Sequence, residues 1–123
     1  MDLLQILKAL SDETRLRMLN VLRQEELCVC ELETILEINQ SNASRHLNRL
    51  TQAKIVEFDK QAQYVYYKIN ENTLKEYPFI EEIIDHKDIQ KGRYTMDRER
   101  LHQYRKSGLS CDDLKGKKSC FMQ

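Results

Sequence analysis

Residues 38–56 read INQSNASRHLNRLTQAKIV, and from Ile55 the chain continues as IVEFDKQAQYVYYKI to Ile69. In the first part Asn39 is a good helix N-cap, and Ala43, Leu47 and Leu50 recur at the steps of four and three that make one apolar helix stripe. Ser41, Ser44, Arg45, Asn48 and Gln52 fall around the opposite face, and no acidic residue stands between Ile38 and Val56. His46 lies beside the apolar stripe, which suits a histidine at the edge of a core at least as well as one on a polar surface. From Ile55 the period becomes two, predicting strands Ile55–Asp59 and Tyr64–Ile69 around a polar turn at Lys60–Gln63. That turn has no Gly or Asn-Gly, so a longer loop is expected there.

Working outward, VCELETILEI repeats the helical pattern with Leu32, Ile35 and Leu36 just before Asn39. Two helices joined by a tight turn, the second followed directly by a hairpin, read as a winged helix-turn-helix: mainly α with a two-stranded β wing. Nearer the start, Leu3, Ile6, Leu7 and Leu10 form a stripe, then Ser11 or Asp12 caps a helix whose Leu16, Leu19 and Leu22 share a face. All of these leucines are expected in the core. Downstream, Pro78 interrupts or restarts a helix carrying Phe79, Ile80, Ile83 and Ile84. Tyr94–Tyr104 is polar almost throughout and needs a partner surface to be an ordered helix. One domain is expected over residues 1–106, with residues 107–123 as a flexible tail containing Cys111 and Cys120.

The 123 residues carry no formal net charge, which by itself argues weakly against a nucleic-acid partner. The distribution says more. Residues 39–60 hold 4 basic and 2 acidic side chains and residues 87–123 hold 10 and 5, whereas residues 1–38 hold 4 and 8, so a local DNA-facing surface is compatible with a neutral total. On such a surface Lys60, Gln61 and Gln63 of the wing would meet phosphate or the minor groove. No stretch is apolar for the roughly 18 residues a membrane helix needs, and no secretory leader is legible, so a cytoplasmic protein is expected.

ELCVCEL, residues 26–32, places Cys28 and Cys30 one residue apart at the start of a helix. In a reducing compartment such spacing points to metal or redox chemistry more than to a structural disulfide. Thiolates select soft acceptors, which leaves Cd(II), Pb(II), Zn(II), Cu(I) or trivalent arsenic and antimony open. A thiol enzyme that cradles an oxyanion by Cys-x5-Arg is not supported, because Thr34, Leu36 and Lys117 stand six residues after Cys28, Cys30 and Cys111. No enzyme is expected.

With these features in place, the sequence resembles the ArsR/SmtB family of metal-sensing repressors. LKALSDETRLRMLNVL is similar to the family's opening helices, NQSNASRHLNRLTQAKIV to its recognition helix and VYYKI to its second wing strand, over about residues 3–86. The resemblance implies a homodimer that represses double-stranded operator DNA until a metal or metalloid weakens binding. Position by position, it marks Gln40, Ser41, Asn42, Ser44 and Arg45 as groove-facing. It also favours As(III), or Sb(III), as inducer, with Cd(II) and Pb(II) as the alternative within the family and thiol redox sensing as another.

The chain departs from the arsenic repressors where a third cysteine usually follows one helical turn on, because that position is Glu33, a hard oxygen donor. In related cadmium and lead sensors, cysteines from an N-terminal extension complete the set, but here no cysteine precedes residue 28. The expected ligand set is therefore Cys28 and Cys30 with Cys111, Cys120 or both, from either subunit.

Overall fold

A computed structural model of the chain describes residues 3–109. Seven helices and one small sheet make up the described part: α1 (Leu3–Leu10), α2 (Glu13–Leu22), β1 (Leu27–Cys28), α3 (Val29–Leu36), α4 (Gln40–Gln52), β2 (Val56–Gln61), β3 (Tyr64–Ile69), α5 (Glu71–Glu76), α6 (Phe79–Ile84) and α7 (Arg93–Ser107), with a 3-10 turn at Lys87–Gln90. Asp12, not Ser11, caps α2, its carboxylate accepting from the Arg15 amide at 3.0 Å. Asn39 caps α4 in the same way through the Asn42 amide at 2.8 Å. Ile6, Leu10, Met18, Leu19, Leu32, Ile35, Leu36, Leu47, Leu50, Ile80 and Ile84 build one core beneath α4 and the sheet.

The wing departs from expectation at its tip and at its root. At the tip, β2 and β3 stay paired to Gln61↔Tyr64, so the turn is only Ala62–Gln63 and the longer loop does not exist. Ala62 supplies the left-handed backbone at φ 59 that a two-residue hairpin needs and that Gly usually provides. At the root, β1 pairs antiparallel with β3, Leu27 opposite Tyr67 and Cys28 opposite Tyr66, making a three-stranded sheet in the order β1-β3-β2. A strand of two residues is too short to show a period in the sequence.

α1 also differs. Ile6, Ala9 and Leu10 are buried, but Leu3, Leu4 and Leu7 are exposed and Leu16 of α2 is only half-buried. Periodicity identifies an apolar face and leaves open what covers it.

The polar C-terminal segment is an ordered helix because its partners are polar too. Asp97, Leu101 and Tyr104 lie one helical turn apart and are buried. Arg17 of α2 donates from Nε and a terminal nitrogen to the two Asp97 oxygens, at 2.8 and 2.9 Å, and to the Leu36 carbonyl at 2.7 Å. The hydrogen bonds to Asp97 hold the Arg17 guanidinium more firmly protonated than usual, against the burial that opposes it. Asn20 donates to the Tyr94 carbonyl and accepts from Arg98, each at 3.0 Å. Arg100 donates to the carbonyls of Ile35 and Thr34 at 2.6 and 3.0 Å, satisfying the open end of α3. Among the described residues no buried side-chain nitrogen or oxygen lacks a partner.

Removing one member of the Arg17–Asp97 pair leaves a charge in the core. Asp97→Ala is expected to cost about 3–5 kcal/mol, a large share of a small domain's stability, read as a lower urea midpoint. A loss below about 1 kcal/mol would show that the pair does not hold α7.

Candidate nucleic-acid interface and thiol site

α4 presents two faces, as the stripe implied. Ala43, His46, Leu47 and Leu50 are buried, whereas Ser41, Ser44, Arg45, Asn48, Arg49 and Gln52 are exposed and Gln40 and Asn42 half-buried. Asn42 Oδ1 accepts from the Arg45 guanidinium at 2.7 Å, so the asparagine orients the arginine that stands beside it. Lys60, Gln61 and Gln63 are all exposed on the hairpin. Gln61 donates to Glu26 at 2.8 Å and Gln63 to the Tyr64 hydroxyl at 3.2 Å.

His46 ties this helix to α2 and, through Arg15, to α1. Arg15 donates to His46 Nδ1 at 3.0 Å while its other nitrogens donate to the carbonyls of Ala9 and Lys8, at 2.6 and 3.2 Å. An arginine can only donate, so Nδ1 must be the acceptor and the ring neutral. Burial lowers the His46 pKa from its ordinary 6.5; Asp12, with Oδ2 3.7 Å from Nδ1, opposes this, and Arg15, Arg45 and Arg49 add to it.

The thiols sit where the backbone changes from strand to helix. Cys28 is the last residue of β1 and the N-cap of α3, extended at φ −89 and ψ 170, and Cys30 lies in the first turn. Both are buried, and neither sulfur is free: both are in disulfide linkage. Glu33 is buried as well, with contacts of its own. Cys111 and Cys120 lie outside the described residues. Among the described residues no three His, Cys, Asp or Glu side chains are grouped so as to hold a metal ion, and His86 and His102 are exposed.

Two residues that sequence reasoning missed border this site. Glu31 is 2% exposed; one oxygen accepts from the Cys28 amide at 3.0 Å, and the other from the Tyr104 hydroxyl at 2.6 Å and Arg105 at 3.4 Å. Burial and then the bond to Glu31 push the Tyr104 phenol well above its usual range, so it stays a donor. The available signal was the spacing of Asp97, Leu101 and Tyr104, which marks one face of a helix otherwise polar.

Residues 12–57 match the model of a family described as bacterial regulatory protein, arsR family. A cadmium resistance transcriptional regulatory protein CadC homolog of Staphylococcus aureus is 39% identical over 77 residues, 62% of this chain and 64% of that protein. The arsenic resistance transcriptional regulator ArsR1 of Pseudomonas putida is 46% identical over 66 residues, 53% and 52% of the two chains. The chain thus spans between half and two thirds of the curated relatives it matches. Among solved structures, the transcriptional regulator HlyU of Vibrio vulnificus is 34% identical with a TM-score of 0.55, covering 67% of this chain and 85% of that one. A homodimeric winged helix-turn-helix DNA-binding domain of Mycobacterium bovis is 28% identical with a TM-score of 0.58, covering 66% and 76%.

Because folding disfavours the His46 imidazolium, its stabilising effect is full above the ordinary value and is lost as pH falls from about 6.5 toward the lower folded value. The urea midpoint of the wild type is expected to drop more steeply through that window than that of His46→Gln. Parallel curves for the two proteins would remove His46 from the acid response.

Proposed function

The chain belongs to the arsR family of bacterial regulatory proteins, and we propose that it is a cytoplasmic, homodimeric repressor that grips double-stranded operator DNA and releases it when As(III) or Sb(III) binds its cysteines. The reading makes it a regulator and not an enzyme. The observation that carries it is the placement of two buried cysteines, Cys28 and Cys30, at the start of the helix that leads directly into the exposed, acid-free face of α4.

On α4, Arg45 would pair with guanine, Gln40 or Asn42 with adenine, and Ser41 and Ser44 with bases or phosphate. Lys60, Gln61 and Gln63 would follow the backbone from the wing. The exposed apolar face of α1, Leu3, Leu4 and Leu7, suits a second copy of the chain. No described helix is long and apolar enough to cross a membrane.

The donor chemistry supports a thiophilic inducer in part. Two sulfurs come from Cys28 and Cys30, Glu33 is a poor third ligand for a soft acceptor, and the remaining donors of this reading are Cys111 and Cys120. Three thiols displace the three hydroxides of arsenous acid, each S–H proton leaving in a water molecule and no electron moving. Four sulfurs would instead suit Cd(II) or Pb(II), and one relative is named a cadmium resistance regulator. A second reading, a thiol redox sensor, draws on Cys28 and Cys30 each being in disulfide linkage.

Titration of the operator-bound, reduced protein with As(III), Sb(III), Cd(II), Pb(II) and Zn(II), and separately with peroxide, ranks these readings. As(III) and Sb(III) are expected to release DNA at the lowest concentration, and release by peroxide alone would select the redox sensor. On the DNA side, Arg45→Ala is expected to relax sequence preference by about 1–3 kcal/mol, whereas Lys60→Ala should weaken all sequences alike and flatten the salt dependence. Unchanged operator affinity in Arg45→Ala would overturn the assignment of α4.

A further inference from the structure

His46 lies on the buried side of α4, next in sequence to Arg45 of the exposed face. The Arg15 side chain is fixed before it reaches that ring. Its Nε donates to the Ala9 carbonyl at 2.6 Å and a terminal nitrogen to the Lys8 carbonyl at 3.2 Å, both in the last turn of α1, where carbonyls run short of intrahelical donors. The Arg15 amide is held as well, by Asp12 Oδ2 at 3.0 Å. The remaining guanidinium nitrogen donates to His46 Nδ1 at 3.0 Å, and Asp12 Oδ2 stands 3.7 Å from the same ring atom. One ring nitrogen thus faces a fixed donor at hydrogen-bond distance and a fixed acceptor just beyond it.

From this geometry we infer that Arg15 and His46 position α4 for operator DNA as a proton-sensitive latch: the neutral ring holds α4 by accepting from Arg15, whereas the protonated ring releases Arg15, turns to Asp12 and weakens the grip on DNA. The inference rests on the assignment of α4 as the reading helix in the preceding section. A protonated Nδ1 is a donor, so it cannot accept from Arg15, and two like charges would then meet in a buried place. Asp12 is the acceptor within reach, and the ring must approach it by about 0.8 Å to make a hydrogen bond. Because the ring is packed on the buried side of α4, that approach carries the helix and the neighbouring Arg45 with it.

Asp12 and Arg15 face the ring from the start of α2, and Arg45 and Arg49 act on it from α4 itself. Lys8 of α1 offers Arg15 its carbonyl and keeps an exposed side chain. α3 and β2 also pack on α4, and none of these charges comes from either. Burial and the three arginines outweigh Asp12, which puts release on the acid side of the ordinary value of 6.5.

The direction of the effect separates the latch from ordinary electrostatics. DNA phosphates favour the protonated form of a nearby histidine, which by itself strengthens binding as pH falls. If binding needs the neutral ring, each protomer must shed a proton to bind, and affinity instead falls by up to about tenfold per pH unit per protomer once the ring titrates.

The probe is a DNA duplex selected from random sequence by the full, reduced chain at about pH 8, its affinity then followed down to about pH 5 at constant ionic strength because phosphate contacts are salt-dependent. Affinity is expected to fall in acid for the wild type and to lose that dependence in His46→Asn, whose Oδ1 replaces Nδ1 as an acceptor that does not titrate. Asp12→Asn keeps a cap on α2 and removes the charge, so it should move the fall to lower pH. In the DNA-free chain, NMR of the ring nitrogens is expected to show Nδ1 without a proton at neutral pH. Affinity that rises or stays level as His46 protonates, equal acid dependence in wild type and His46→Asn, an unmoved midpoint in Asp12→Asn, or a proton on Nδ1 at neutral pH would each overturn the latch. Selection of no duplex would instead defeat the repressor reading, and the ring NMR would still decide whether Arg15 and His46 are joined as described.

Discussion

The buried contact of Arg17 with Asp97 and the Leu36 carbonyl is the constraint on which the rest of the arrangement depends. α7 has little apolar surface with which to find its place, and Asp97 fixes it on α2 through Arg17, whose guanidinium also holds the end of α3. Such a pair is costly to desolvate, so it is tolerable only because the guanidinium fork meets three acceptors. Once Asp97 is placed, helical spacing carries the register along α7: Arg100 reaches the carbonyls that end α3, and Tyr104, two turns on, reaches Glu31 near the start of α3. α3 is thereby bound to α7 at both ends through polar contacts.

This explains which parts of the fold the sequence disclosed. α4, its Asn39 cap, and β2 and β3 follow from local periodicity, which a single segment carries by itself. Arg17 and Asp97 are eighty positions apart, and nothing local to either announces the other. α7 therefore looks unsupported when its own residues are read alone. The Ala62–Gln63 turn shows a different limit. Turn rules describe residue preferences, and the pairing of β2 with β3 is strong enough to hold Ala62 where Gly would be easier.

The thiol site was legible in its unusual feature and not in its surroundings. On a regular helix Cys28 and Cys30 would point to nearly opposite sides. Because Cys28 is still in extended backbone at the N-cap, that objection does not apply to it, as expected of a residue placed at the helix start. What could not be read was the carboxylate that holds this start: Glu31 is one acid among several in an acidic stretch, and only tertiary contact makes it different from Glu26 or Glu37. Glu33, by contrast, could be seen in advance to occupy the place of a third sulfur, and it is buried there.

How thiol chemistry could reach DNA follows from the same restraints. A helix free at one end absorbs a local disturbance by fraying, and the disturbance goes no further. α3 is held at its start by Glu31 and at its end by Arg17 and Arg100, so a change at Cys28 or Cys30 is resisted locally and passes into movement of the whole helix against its neighbours. Only residues 37–39 separate it from α4, and they are themselves fixed, Glu37 in the left-handed conformation and Asn39 by its cap to Asn42. α4 is in turn held to α1 and α2 through His46 and Arg15. Thiol occupancy and DNA binding would then compete for the placement of α3, and by linkage each must weaken the other by the same factor.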